Sequence, residues 1–357
     1  MSYIFDFFNN KKILLTGHTG FKGSWLSEIL LLAGAQVIGY SLNPPTNPNL
    51  FSMLNLPSRM TNVIGDIRDI KLLKSVFDKF RPQIVIHLAA QPIVLESYNN
   101  PLYTYETNVL GTVNILECLR TCDSVMSFLN VTTDKVYENN DLENHPFKED
   151  EKLDGFDPYS NSKSCSELIT HCYKKSFFDK TSSPAISTAR AGNVIGGGDF
   201  SPHRIMVDAV NAALKGSDFI VRNKYSTRPY QFVLEPLFIY LLICAKQFEN
   251  KEFSGFYNIG PDACDAVSTG ELASLFCKKW GNTMKWIDKS DPAAPHESKY
   301  LMLDNSLIKE KFGWKPIMHI DEAVDEIIEW TKAYQKHESI QEVVDKQILY
   351  FDQRFGK

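Results

Sequence analysis

Along this chain, short apolar runs alternate with stretches in which apolar residues recur every three or four positions. Lys12 to Thr16 (KILLT) is the first such run, and it leads straight into Gly17-His18-Thr19-Gly20-Phe21-Lys22-Gly23. Trp25, Leu26, Ile29, Leu30 and Leu32 then follow at helical spacing until Gly34, and Gln36 to Tyr40 gives a second strand. The alternation continues with a strand over 62–65, a helix around Lys71 to Lys79, and a strongly apolar strand over Gln83 to Leu88 that ends in Ala89-Ala90. A long helix is predicted from Pro101 through Leu119, then a strand from Val125 to Val131. Strands that alternate regularly with helices predict a parallel, doubly wound α/β sheet of the Rossmann type, with ligands beyond the carboxyl ends of its strands.

After Ala189-Arg190-Ala191-Gly192-Asn193 the alternation weakens. Segments 205–214, 219–222, 236–247, 255–260, 269–279 and 320–334 read as a mixture of short strands and helices. They predict a smaller, interleaved α/β substrate-binding lobe over 191–357. The dinucleotide-binding domain covers 10–190, with segments returning to it around 225–260. Residues 338–357 show no assignable pattern.

The glycine turn is the first candidate for chemistry. Glycines there permit a tight turn, let backbone N–H groups approach a diphosphate, and set a helix N-terminus against the anion. By itself the spacing is a weak signal, and its place between a strand and a helix strengthens it. The second candidate is Tyr159-x-x-x-Lys163, which opens a predicted helix at Asp157-Pro158. Four residues is about one helical turn, so the two side chains share a face. A free phenol titrates near ~10, and an ammonium beside it is expected to lower that value and make it a usable base. Tyr-x-x-x-Lys is short and common, and alone would be a surface pair. Thr133, Asp134 and Lys135 stand at the carboxyl end of a strand, so Gly17, Ala89, Thr133 and Tyr159 can converge on one crevice. His87 lies within its strand and reads as a packed core histidine.

Composition narrows the partners. The 357 residues carry a net charge of −5, with 43% hydrophobic and 23% charged residues, so nothing favours nucleic acid or an anionic membrane surface. The seven cysteines are odd in number, and Cys118 and Cys122 sit one turn apart without a histidine, which predicts buried thiols rather than a metal site. The N-terminus shows no basic leader, and the longest apolar run, Leu237 to Ala245, is too short to span a bilayer. A cytoplasmic protein is expected.

Taken together, Gly17-x-x-Gly20-x-x-Gly23, Tyr159-x-x-x-Lys163 and the polar strand end resemble the extended short-chain dehydrogenase/reductase family over about residues 11–333. The pattern is closest to the nucleotide-sugar 4,6-dehydratases, and among them to those acting on CDP-glucose. The phrases TGHTGFKGSWL (16–26), GYSLNPPTNP (39–48), GDIRD (65–69), HLAAQP (87–92), TTDKVYEN (132–139), DPYSNSK (157–163), RAGNVIGGGDF (190–200), RPYQFVLEPL (228–237) and PHESKYLMLD (295–304) carry it. Most 4,6-dehydratases have Thr-Asp-Glu where this chain has Thr133-Asp134-Lys135, and the lysine variant resembles the CDP-glucose enzymes.

The resemblance implies bound NAD, a CDP-hexose substrate and a homodimer paired through helices around 101–121 and 159–177. It implies a deoxysugar product for surface polysaccharide. Tyr159, activated by Lys163, would take the C4 hydroxyl proton as hydride leaves for NAD+. Thr133 would bond the C4 oxygen, Asp134 would act as acid on the C6 hydroxyl, and Lys135 stands where the C5 base is found. Lys135 can alternatively stabilise the enolate while another group takes the proton. The implied coenzyme contacts are Gly17, Thr19, Gly20, Phe21, Lys22, Gly23, Ser41, Asp66, Ile67, Ala89, Ala90, Gln91, Asn108, Tyr159 and Lys163. The implied substrate contacts are Gln91, Asn193, Arg204, Arg228 and His296, the last with Glu297 beside it.

Several positions depart from the family pattern. Leu95 and Glu96 replace an arginine-bearing stretch, Tyr230 and Phe232 stand where tryptophan and histidine are usual, and Val207 replaces a proline. These departures bear on the sugar nucleotide and leave the redox core intact. Dehydratases acting on another sugar nucleotide, nucleotide-sugar 4-epimerases and a non-catalytic NAD-binding regulator are the alternatives. Epimerases normally lack the acid–base pair after the threonine. The second strand ends in Tyr40-Ser41-Leu42-Asn43, with neither an acid for a ribose 2′-hydroxyl nor an arginine for a phosphate. Lys22 could approach a 2′-phosphate, but NAD is the expected coenzyme.

Overall fold

The computed structural model describes residues 2–141, 145–179, 183–281, 284–290 and 300–355. Five apolar runs form strands β1 (Lys12–Thr16), β2 (Gln36–Ser41), β3 (Thr61–Ile64), β4 (Ile84–His87) and β5 (Ser127–Thr133). Two later strands, Ala185–Ala191 and Phe256–Ile259, complete a seven-stranded sheet in the order Phe256–Ile259, Ala185–Ala191, β5, β4, β1, β2, β3. Every pairing is parallel. Parallel strands are joined by helical crossovers that cover both faces, which is why Ile13, Leu14, Leu15, Ile84, Val85 and Ile86 have no solvent exposure. This is the doubly wound, Rossmann-type sheet that the alternation predicts. The chain reverses its winding direction between β1 and β4, and a crevice opens there beyond their carboxyl ends.

Apolar layers lie on both faces of the sheet. On one, Trp25, Leu26 and Ile29 pack with the wholly apolar stretch Leu237–Ala245 of helix Leu234–Glu249. On the other, Leu14, Ile38, Val85 and Phe128 meet Leu73, Phe77, Ile115 and Leu119. The first layer runs on without a break through Phe219, Phe276 and Ile327. These belong to the later segments, where Asn193–Ile195 pairs with Thr227–Phe232, which in turn pairs with Ala266–Ser268. No helix among the described residues is long and apolar enough to cross a membrane.

Three elements differ from the sequence reading. Helix 101–121 is interrupted by a π turn at Glu106–Leu110, which lets Asn108 bridge two other segments from inside the helix. Strand β5 runs two residues further than expected, so Thr132 and Thr133 belong to the strand. Residues 340–354 form a helix, capped by Ser339 and burying Ile340, Val344, Ile348 and Phe351 at four- and three-residue spacings.

One helix matters most for the site. Pro158–Phe177 begins with Asp157 accepting from the Ser160 N–H at 3.0 Å and with Pro158 in its first turn, where proline's missing donor costs nothing. Two turns in, Glu167 is fully buried and takes hydrogen bonds from Thr132 (2.5 Å), Thr188 (2.8 Å) and the Arg190 guanidinium (3.0 Å). Burial pushes its pKa up, but Arg190, with His171 and Thr132, outweighs burial and holds the carboxyl well below the usual range. Arg190 is itself buried and donates to Tyr137 (2.6 Å) and to the Glu149 carbonyl (3.0 Å).

Removing one member of such a pair leaves a buried charge uncompensated. Arg190→Met should therefore lower the unfolding free energy by about 3–5 kcal/mol in urea titrations, and adding Glu167→Gln should recover part of the loss. Because the Glu167 pKa is depressed, its contribution is present above the ordinary carboxylate range and fades as pH falls through the folded value.

Candidate active site

β1 ends at Thr16, and the backbone turns at once through Gly17, whose φ is +76°. A Cβ at Gly17 would come within 2.8 Å of the Ala89 N, so the turn lies directly on the end of β4. A Cβ at Gly23 would sit 2.1 Å from the Gly17 carbonyl, so only glycine lets helix Phe21–Leu32 start this close to the strand. That helix starts at Gly20, which offers no capping side chain, and a Cβ there would meet nothing closer than 3.5 Å. The N–H groups of its first turn are thus left without a side-chain cap, the arrangement that receives a diphosphate. Thr19 closes the neighbouring corner through its hydroxyl, bonded to Ser41 Oγ and the Leu42 carbonyl at 2.9 Å each. These residues fit a dinucleotide. Asp66 is engaged with Arg68 at 2.7 Å, while Ile67 is buried against Gly111.

On the β5 side, Thr133 is the last strand residue and donates to Asp134 Oδ1 at 2.9 Å. Asp134 is 2% exposed, and its Oδ2 has no hydrogen-bond partner. Gly192 backs it: a Cβ at that position would lie 2.9 Å from Oδ2. Burial raises the Asp134 pKa by more than Lys135, Thr133 and Arg228 lower it, so the acid form is favoured relative to a free aspartate. A buried carboxyl with a free oxygen and a raised pKa can serve as a proton donor.

Asp134 acts electrostatically on Tyr159. The Tyr159 backbone N–H donates to Ser97 Oγ at 3.1 Å, and the Thr133 hydroxyl acts on its phenol. One turn on, Lys163 is buried and donates to the Val131 carbonyl at 3.1 Å. The expected lowering of the phenol pKa by this lysine is not what the structure gives. Burial pushes Tyr159 up to about 12, with Thr133 and Arg204 opposing and Asp134 adding to it. Burial and the nearby Lys22 bring the Lys163 ammonium down to about 7, so it is a weaker cation than its type suggests.

Most of the remaining candidates gather here. Lys22 acts electrostatically on Lys163, and Arg204 and Asp134 act on Lys22. Burial, with Arg204, brings Lys22 down to about 8. Its electrostatic partners are therefore groups of the crevice, Lys163, Arg204 and Asp134. Arg204 reaches the crevice while bonded to Asp199 at 2.8 Å. Asn193 and Tyr230 are paired on adjacent strands, and Arg228 lies two residues before Tyr230, so all three share one face. Arg228 is 3% exposed.

Two candidates are already occupied. The Gln91 amide is tied to Ile93 and Thr104, and Asn108 holds Gln91 N, the Gln91 carbonyl and Ser162. Their side chains brace the loop after β4. Ala89 and Ala90 remain partly open beside Gly17. His87 is a core residue, buried and bonded to Thr16 at 2.7 Å. His296 and Glu297 lie outside the described residues. Ser97 and Gly192 escaped the sequence reading, because neither carries chemistry of its own and their roles depend on contacts distant in sequence.

Comparison with known proteins agrees with this architecture. The family described as GDP-mannose 4,6 dehydratase matches residues 14–327. A CDP-glucose 4,6-dehydratase of Salmonella typhimurium is 39% identical over 340 residues, which is 94% of each chain. Among solved structures, a dTDP-glucose 4,6-dehydratase from Bacillus anthracis in complex with NAD superposes with a TM-score of 0.74 at 20% identity, covering 92% of this chain and 98% of that one. A Thermus thermophilus UDP-glucose 4-epimerase in complex with NAD gives 0.74 at 24% identity over 89% and 98%. The structural matches establish the fold, and the near full-length sequence matches go further: the chain belongs to the GDP-mannose 4,6-dehydratase family, within the extended short-chain dehydrogenases/reductases.

Proposed function

We propose that the protein is a nucleotide-sugar 4,6-dehydratase that converts CDP-D-glucose to CDP-4-dehydro-6-deoxy-D-glucose and water. The observation that carries this reading is Asp134, a buried carboxyl with an unpartnered oxygen and a raised pKa, set beside Tyr159 and Thr133. A 4-epimerase needs only the tyrosine side of that pair. The 39% identical relative, named for CDP-glucose, supports the nucleotide.

Gly17–Gly23, Ala89 and Lys163 would hold NAD, which when bound would supply a reversible hydride acceptor, so that oxidation at C4 and reduction at C6 would cancel. Tyr159 takes the C4 hydroxyl proton in its phenolate form, its own proton having gone to solvent, and Thr133 bonds the C4 oxygen as it becomes a ketone. The ketone acidifies C5–H, and Lys135 would receive that proton or steady the enolate. Asp134 protonates the C6 hydroxyl, which leaves as water. Arg228 and Asn193 hold the substrate diphosphate, for which a planar guanidinium is well shaped. Leu102, Leu110 and Leu168 are more than half exposed on the helices around 101–121 and 158–177, which supports a homodimer through that face.

Tyr159→Phe should abolish coenzyme reduction on adding CDP-glucose, with kcat down by about 10²–10⁴-fold. Asp134→Asn should leave that reduction in place and stop water loss, followed by absorbance and product mass. Absence of reduction in Asp134→Asn would contradict a role confined to elimination, because Asp134 would then be needed for oxidation at C4.

Asp134 must carry a proton, so kcat should fall as pH rises through its raised pKa. Lys135→Met should spare coenzyme reduction but stall elimination, and normal turnover would take Lys135 out of the mechanism.

A further inference from the structure

Away from the crevice, three side chains with metal-binding atoms meet on one spot. Cys264 and Asp265 lie in the short 3₁₀ turn Ala263–Asp265, which follows the sheet strand Phe256–Ile259. His319 immediately precedes helix Ile320–Gln335, 55 residues beyond Cys264. Asp265 Oδ2 is 2.9 Å from His319 Nδ1 and 3.7 Å from Cys264 Sγ, and the sulfur is 4.0 Å from the same Nδ1.

We propose that Cys264, Asp265 and His319 form a binding site for a zinc-type divalent cation. A tetrahedral zinc ion with bonds of about 2.0–2.3 Å holds its ligand atoms about 3.3–3.6 Å apart, and the three observed separations bracket that range. One thiolate, one imidazole and one carboxylate are zinc's usual donors. Asp265 is 2% exposed, and its Oδ1 is fixed by the Ile320 N–H at 2.9 Å, which leaves Oδ2 aimed at the other two. Cys264 and the His319 ring are open to solvent, so water completes the fourth position.

Two other uses of the cluster fit less well. A nucleophilic triad needs the imidazole to face the thiol with one ring nitrogen and the carboxylate with the other. Here both address Nδ1. An aspartate cap of the helix accounts for Oδ1 and a pair with the His319 ring accounts for Oδ2, but neither calls on the Cys264 sulfur that lies 4.0 Å from that ring nitrogen. On binding, the thiol proton goes to solvent and nothing is oxidised or reduced. The ion would join the loop leading into Ala266–Ser268 to a helix far along the chain. Val267 in that strand pairs with Arg228, so the staple would steady one wall of the crevice.

The test uses the full-length, reduced protein titrated with cobalt(II) and then zinc. One equivalent of cobalt should bind with a thiolate-to-cobalt absorption band, zinc should displace it, and the thermal midpoint should rise with zinc. Removing an outer partner of a metal site already weakens binding about 10–100-fold, so Cys264→Ser should abolish the band and weaken zinc at least tenfold. His319→Gln should weaken zinc similarly while keeping the fold. No band in the natural protein, or a band and zinc affinity unchanged in Cys264→Ser, would overturn the assignment.

Discussion

The buried pair of Glu167 and Arg190 is the constraint on which the site depends. Glu167 ties helix Pro158–Phe177 to β5 through Thr132, and to the neighbouring strand through Thr188 and Arg190. Tyr159, Lys163 and Glu167 are spaced four residues apart on that helix, so fixing the third fixes the height and rotation of the first two. The near end is fixed separately, by the Asp157 cap and by Ser97 on the Tyr159 N–H. Two anchors on one rigid helix hold the phenol against the end of β5 more firmly than any loop could.

Burial sets the electrical character of the crevice. It raises Tyr159 and Asp134 and lowers Lys22 and Lys163, so each group is shifted towards its neutral form. A lysine one turn away lowers a tyrosine pKa, but burial is the larger effect here. Neutral forms suit the proposed chemistry on the acid side, where Asp134 has a proton to give. On the base side, the phenol needs charge brought to it by the bound reactants.

The sheet could be read from the chain because its signals are local: apolar runs of strand length, glycines where the backbone must approach, and helical periodicity between them. The Tyr159–Lys163 pair and the Thr133-Asp134-Lys135 strand end were legible for the same reason. Helix 340–354 was equally local, with Ser339 as its cap, and its pattern went unread beside an irregular tail. What could not be read is non-local. Gln91 and Asn108 read as ligand residues, and only the fold shows that they also brace a loop through Thr104 and Ser162; Gly192 gains meaning only from Asp134 at the end of the neighbouring strand. The Cys264–His319 cluster joins residues too far apart for any spacing rule, whereas the cysteines that spacing did single out, Cys118 and Cys122, are buried in an apolar layer.

The most direct test of the account follows an atom. CDP-glucose carrying deuterium at C4 should emerge lighter by one water, with the deuterium at C6, because the proposed reaction takes hydride from one carbon and returns it to the other. An isomer of unchanged mass would identify an epimerase, and loss of water with the label gone from the sugar would contradict internal hydride transfer.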